Sequence, residues 1–145
     1  MTIRKMTKDD KEVVLSMEKD LNNSPAVDEA APIEVIRRSF NDATGDNPNL
    51  VGYIFEENDN VLGFAYLTFY YSCEVARNVV MIEELFVKDE YRSLGVGTKF
   101  FSWLYKKYPK DIRFKLEVTR NNRASNLYKR CGFSFLDHDS MVYDI

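Results

Sequence analysis

The sequence predicts an α/β layered domain, a mixed sheet of six to seven strands flanked by about four helices. Three observations lead there. Val79 to Val87 is apolar on both faces, as a central buried strand is. A helix-spaced segment and an alternating strand follow it, and a strand–helix–strand unit sets its two strands parallel. Val51–Glu56 and Val61–Tyr70 flank the polar turn Glu57–Asn60, which reads as an antiparallel hairpin. Together with helices on both sides in sequence, these give a layered mixed sheet in a single domain over residues 1–145.

Taken in order, Thr2 to Met6 reads as a short strand. Thr7 is a helix N-cap, with Asp9 and Asp10 in the first turn where the helix dipole favours acids. Val13, Val14, Met17 and Leu21 continue at helical spacing. Asn22 to Pro32 is a loop, Ile33 to Phe40 a second helix, and Asn41 to Asn49 a loop holding Gly45 and Pro48. After the hairpin, Tyr71 to Asn78 breaks the strand pattern. Val79–Val87 then leads through the glycine-containing turn Lys88–Gly97 into a helix from Thr98 to Tyr108, with Pro109 just beyond it as a stop. Ile112, Phe114, Leu116 and Val118 alternate with charged residues as a half-buried strand. Arg123–Arg130 is helical, and Gly132 stands where a C-terminal cap glycine belongs. Phe133–Leu136 and Met141–Tyr143 make a final pair of short strands.

Composition narrows the chemistry. With 145 residues, the chain buries roughly two-thirds of its unfolded surface and needs no disulfide or metal to fold. A net charge of -3 speaks against a nucleic-acid or anionic-membrane partner. Cys73 and Cys131 form no paired motif, and the single histidine, His138, excludes a His-rich metal site, so no metal is expected. Met1–Asp10 is too polar for a secretory signal, and no apolar run reaches the length of about 18 residues that a membrane span needs. The expected location is cytoplasmic. A homodimer is left open.

The strongest local signal is Arg92-Ser93-Leu94-Gly95-Val96-Gly97, between a buried strand and a helix. Unpartnered N–H groups at a helix start attract anions, and glycines let the backbone approach a phosphate. Phe100 stands where a dinucleotide fingerprint would have its third glycine, and the Gly-Lys-Ser/Thr of a P-loop is absent. The turn suits a phosphate-bearing ligand of another kind. A second motif lies downstream, Asn121-x-x-Ala124-x-x-Leu127-Tyr128-x-x-x-Gly132-Phe133.

Together the two motifs resemble the GNAT (Gcn5-related N-acetyltransferase) superfamily, over Val79 to Phe133. The resemblance implies a GNAT-like fold and acetyl-CoA as cosubstrate. It implies that the backbone of Leu85, Phe86 and Val87 pairs with the pantetheine arm. It further implies that Arg92 and the turn Ser93, Leu94, Gly95, Val96, Gly97 and Thr98 bind the pyrophosphate. Asn121 touches the cofactor, chosen over Asn122 by its seven-residue spacing to Tyr128, and Tyr128 is the general acid. The N-terminal third matches in element order only.

These residue types suit acetyl transfer to an amine. A lysine-like ammonium, with a pKa near about 10, has to lose a proton before it attacks a thioester. A departing thiolate can take a proton from a tyrosine, and backbone N–H groups near Leu85 and Phe86 can hold an oxyanion. Glu83 and Glu84 interrupt an apolar strand, where a carboxylate is costly unless it is paired or opens on a cleft. Strand alternation sends one to each face. The order Ile82-Glu83-Glu84-Leu85 resembles the matching strand of polyamine acetyltransferases, which favours Glu83 as the base, with Glu84 second. Such acids suit a small cationic amine. The other readings are a peptide or protein N-terminal or lysine acetyltransferase and a non-catalytic acyl-CoA sensor. Phe100, Phe101, Trp103, Leu104 and Tyr108 read as a packing stripe, and Cys131 as a packed residue rather than a nucleophile.

Overall fold

The computed structural model describes residues 1–108, 111–119 and 121–145. The element order is β1 (Thr2–Lys5), α1 (Lys11–Asn22), α2 (Ile33–Ala43), β2 (Leu50–Glu57), β3 (Asn60–Ser72), β4 (Arg77–Val87), α3 (Val96–Lys107), β5 (Ile112–Leu116) and α4 (Ser125–Arg130). The strands lie in sequence order in one sheet. The pairs β1–β2, β2–β3 and β3–β4 are antiparallel, and β4–β5 is parallel, as the crossover through α3 requires.

Local chemistry sets the turns. Asn58 (φ 50°) and Asp59 (φ 63°) supply the left-handed residues of the β2–β3 turn, a conformation that Asn and Asp tolerate. The next hairpin runs further than the sequence suggests: Tyr71 pairs with Asn78 and Ser72 with Arg77, so only 73–76 break the ladder. Thr7 caps the first helical turn reciprocally with Asp10, whose carboxylate accepts the Thr7 N–H at 2.7 Å. Arg4 grips that carboxylate with two hydrogen bonds of 2.9 and 2.8 Å. Hydrogen bonding to Arg4 is the main reason the Asp10 pKa is lowered.

Two cores flank the sheet. On one face Phe55, Leu67, Val80 and Ile82 pack against Phe100, Phe101 and Leu104 of α3, with Leu127 and Tyr128 of α4 at the margin. On the other, Ile54, Phe64, Tyr66 and Phe86 pack against Val14 and Met17 of α1 and Phe40 of α2. The aromatic stripe of α3 is therefore core.

Among the described residues five strands form, rather than six to seven. Phe133 to Leu136 make no strand, because the first of them is taken up in closing α4. Met141, Val142 and Tyr143 are 97%, 89% and 89% exposed, so their apolar pattern finds no face to cover. The stop signal at Pro109 lies outside the described residues.

Candidate functional site

The decisive geometry is the parting of β4 and β5. Their ladder runs from Asn78–Ile112 to Ile82–Leu116 and ends there, while β4 continues to Val87 on β3. Residues 83–87 thus have one edge without a strand partner among the described residues. Antiparallel hydrogen bonding alternates along a strand, and Lys88 N–H bonds the Leu62 carbonyl. Counting back, Phe86 turns its backbone to β3, whereas Leu85 and Val87 face the open edge. The Phe86 side chain is buried in the α1 face. Of the three backbone positions expected to bind the cofactor, the open edge therefore presents Leu85 and Val87, not Phe86.

This edge leads into the glycine turn. Gly95 is the N-cap of α3 with φ 80°, a torsion that strains any residue with a Cβ. Helix α3 starts at Val96, two residues before Thr98. Lys99 N–H bonds the Gly95 carbonyl, and no side chain caps the helix, so the N–H groups of Val96, Gly97 and Thr98 point out of its N-terminus. Gly97 serves packing as well: a Cβ there would stand 2.6 Å from Cδ2 of Leu127. Arg92 ties the turn to β4. Its Nε donates to the Val87 carbonyl at 2.9 Å, its Nη1 meets Asp89 at 2.6 Å, and its guanidinium lies over the Phe86 ring. Leu94 is exposed and Ser93 holds φ 63°.

Helix α4 holds Tyr128 between aromatic rings. Its end is a Schellman motif: Phe133 N–H bonds the Tyr128 carbonyl and Gly132 N–H bonds that of Lys129. The Phe133 ring returns to Tyr128 with centroids 6.2 Å apart, and Phe101 meets Tyr128 edge-on at 5.9 Å. Burial raises the Tyr128 pKa, which keeps the phenol a proton donor near neutral pH. Tyr128 and Leu116–Val118, the stretch where β5 leaves β4, line one cavity of about 560 Å³. The glycine turn and the two glutamates do not border it. Asn122 Oδ1 accepts the Ala124 N–H at 2.8 Å in the turn ahead of α4, and Asn121 beside it is exposed. Cys131 packs on the α3 core, and burial raises its pKa, which disfavours the thiolate.

The glutamates do not split between the faces. Tyr66 pairs with Glu84 and Leu67 with Ile82, so Glu83 is an extra residue, a β-bulge. The bulge resets the alternation: Val80 and Ile82 face α3, while Glu84 and Phe86 face α1. Glu83 accepts a hydrogen bond from the Thr68 hydroxyl, and Thr68 shares its face of β3 with Tyr66. Both acids therefore point to the α1 side.

The acetyltransferase (GNAT) family model matches residues 14–133. The chain belongs to this family. GNAT acetyltransferases use acetyl-CoA. No curated protein sequence matches the chain. Solved structures share the fold at low identity. A "possible acetyltransferase" from Clostridium difficile 630 is 17% identical, with a TM-score of 0.82 over 99% of this chain and 97% of that one. AAC(6')-Iy in complex with the bisubstrate analogue CoA-S-monomethyl-acetylneamine is 18% identical, with a TM-score of 0.77 over 99% and 97%. A "predicted acetyltransferase" with acetyl-CoA from Clostridium acetobutylicum is 22% identical, with a TM-score of 0.73 over 98% and 95%.

In this GNAT domain one residue escaped the sequence reading. Glu18 of α1 is 1% exposed and faces Glu84 within hydrogen-bond reach. Burial first, then the neighbouring Glu84, pushes the Glu18 pKa up to about 9. Burial also raises that of Glu84, partly offset by the hydrogen bond from Glu18. The signal was present: position 18 lies on the same helical stripe as Val14, Met17 and Leu21, where an acid is out of place. Among the described residues no group of acids, His or Cys could hold a metal ion, and no helix is long and apolar enough to cross a membrane.

Proposed function

We propose that the protein transfers the acetyl group of acetyl-CoA to the primary amine of a small cationic molecule, by direct attack. The observation that carries this reading is the parting of β4 and β5 after Ile82 and Leu116, with an open backbone edge followed, after the turn 88–95, by an uncapped helix start. Leu85 and Val87 offer that edge to the amides of the pantetheine arm. The N–H groups of Val96, Gly97 and Thr98 offer the diphosphate three donors at the positive end of α3. Asn121, exposed in the turn ahead of α4, is assigned to the cofactor. The bound thioester supplies the activated acetyl group.

The Leu85 N–H, on the open edge, takes the oxyanion role, since that of Phe86 is turned to β3. Tyr128, kept neutral by burial, donates its proton to the departing sulfur. A carboxylate of the bulge, Glu83 or Glu84, takes the proton of the acceptor ammonium. Two acids on the α1 side, Glu83 and Glu84, favour a cationic acceptor, and the reading is supported by AAC(6')-Iy, a protein of similar fold solved with a CoA-linked acetylneamine analogue.

The test is release of coenzyme A thiol in the presence of polyamines, aminoglycosides, amino acids and peptides. Turnover with a small polyamine or amino sugar is expected. Turnover with peptides alone would overturn the acceptor class, and acetyl-CoA binding without turnover on any amine would point to a sensor.

A further inference from the structure

Three buried polar atoms meet between α1 and the middle of the sheet. Oε2 of Glu18, Oε2 of Glu84 and the hydroxyl of Tyr66 have no hydrogen-bond partner among the described residues. Tyr66 is 2% exposed and stands directly across the strand pair from Glu84. Buried polar atoms left without partners are rare in a folded core and call for an explanation. Here they sit at the one point where β4 carries a bulge and has just lost its β5 neighbour.

We infer that Glu84 is the group that takes the proton of the acceptor ammonium, and that Glu18, donating a hydrogen bond to it from α1, is the positioning residue that keeps the Glu84 carboxylate charged and aimed. This rests on the acetyl-transfer reading above. It names the second of the two glutamates, whereas the sequence favours the first. Glu83 is exposed and engaged by Thr68, while Glu84 reaches from the half-buried strand into the interior.

Two carboxyl groups in contact cannot both ionise easily, so the more enclosed member keeps a proton and donates it to the other. Glu18 is that member. The groups facing the pair are Tyr66 from β3, which feels both carboxyls, and Glu83 from β4, which feels Glu84. The other ionisable residues of α1 and those of α2 are exposed, and no ion pair among the described residues involves Glu18 or Glu84. A neutral Glu18 and a neutral Tyr66 thus surround one charged carboxylate. In the reaction an N–H bond of the ammonium breaks with its electron pair left on nitrogen, and an O–H bond forms on Glu84. The freed amine then attacks the thioester, and Glu84 later returns its proton to solvent.

Two variants test this. Glu18→Leu removes the donor with little change of volume, and Glu18→Gln keeps an amide donor. In Glu18→Leu the acid limb of the kcat–pH profile should move up by at least about one pH unit, with kcat at pH 7 down about tenfold. Glu18→Gln should bring the limb back toward the wild-type position. A limb that Glu18→Leu leaves unmoved overturns the positioning role.

The second readout needs no activity. The native state holds the Glu18 proton more tightly than the unfolded chain, so wild-type stability should fall as pH rises from about 4.5 to about 9. In Glu18→Gln, whose residue 18 does not titrate, the urea midpoint should fall markedly less over that range. Equal slopes in the two proteins overturn the carboxyl pair. Failure of every amine to turn over would count against acetyl transfer itself, and the urea series would still decide the pair.

Discussion

The two faces of the sheet are built on different terms. The α3 face is closed with apolar and aromatic side chains: Phe55, Phe100 and Phe101 are fully buried, and their rings pack at centroid distances of 5.1 and 5.2 Å. The α1 face has an apolar core as well, but it admits Glu18, Glu84 and Tyr66 and leaves a polar atom of each unpaired. Burying such atoms costs stability, typically about 1–3 kcal/mol for each unsatisfied group. In the proposed reaction one face is a platform, holding the glycine turn and Tyr128 in place, and the other carries the acids assigned to the acceptor's proton.

Substitutions can break or sharpen that contrast. The largest loss is expected from Tyr128→Phe, which removes one hydroxyl and leaves the ring between Phe101 and Phe133. Turnover should fall about 10²- to 10⁴-fold with acetyl-CoA affinity unchanged, measured by steady-state kinetics and calorimetry. Next comes Gly95→Val. A β-branched residue at φ 80° distorts the start of α3, so acetyl-CoA binding should weaken at least about tenfold while circular dichroism stays native. Unchanged affinity in the folded variant would remove the diphosphate from this turn. The smallest effect is expected from Glu83→Gln. An amide can still accept from Thr68, so kcat should change less than about threefold and the pH profile should keep its shape. A large loss there would hand the proton-acceptor role back to Glu83.

Much of this contrast was legible, and unevenly so. The platform announces itself locally: Gly95 marks a left-handed N-cap, and Tyr128-x-x-x-Gly132-Phe133 spells a helix end in which the last residue caps the first. The β2–β3 turn and the parallel β4–β5 pair follow from residue chemistry and chain handedness. The acidic face depends on registry, which a period-of-two reading assumes to be unbroken. One inserted residue at Glu83 turns both glutamates to the same side, and nothing short of the β3 partner reveals it. Glu18 lies about sixty-six positions away along the chain, so its contact with Glu84 is tertiary, although its place on an apolar helical stripe marked it as unusual. The last two expected strands failed for a related reason. Apolar alternation proposes a strand, but only a neighbouring edge makes one, and residues 141–143 have none.

The most direct test of the account is Glu84→Gln assayed for coenzyme A release across pH with the best amine of the panel. The account predicts a loss of about 10²-fold or more near neutral pH, partial recovery at alkaline pH where free amine is abundant, and unchanged acetyl-CoA affinity. Wild-type turnover with a wild-type pH profile in this variant would contradict it.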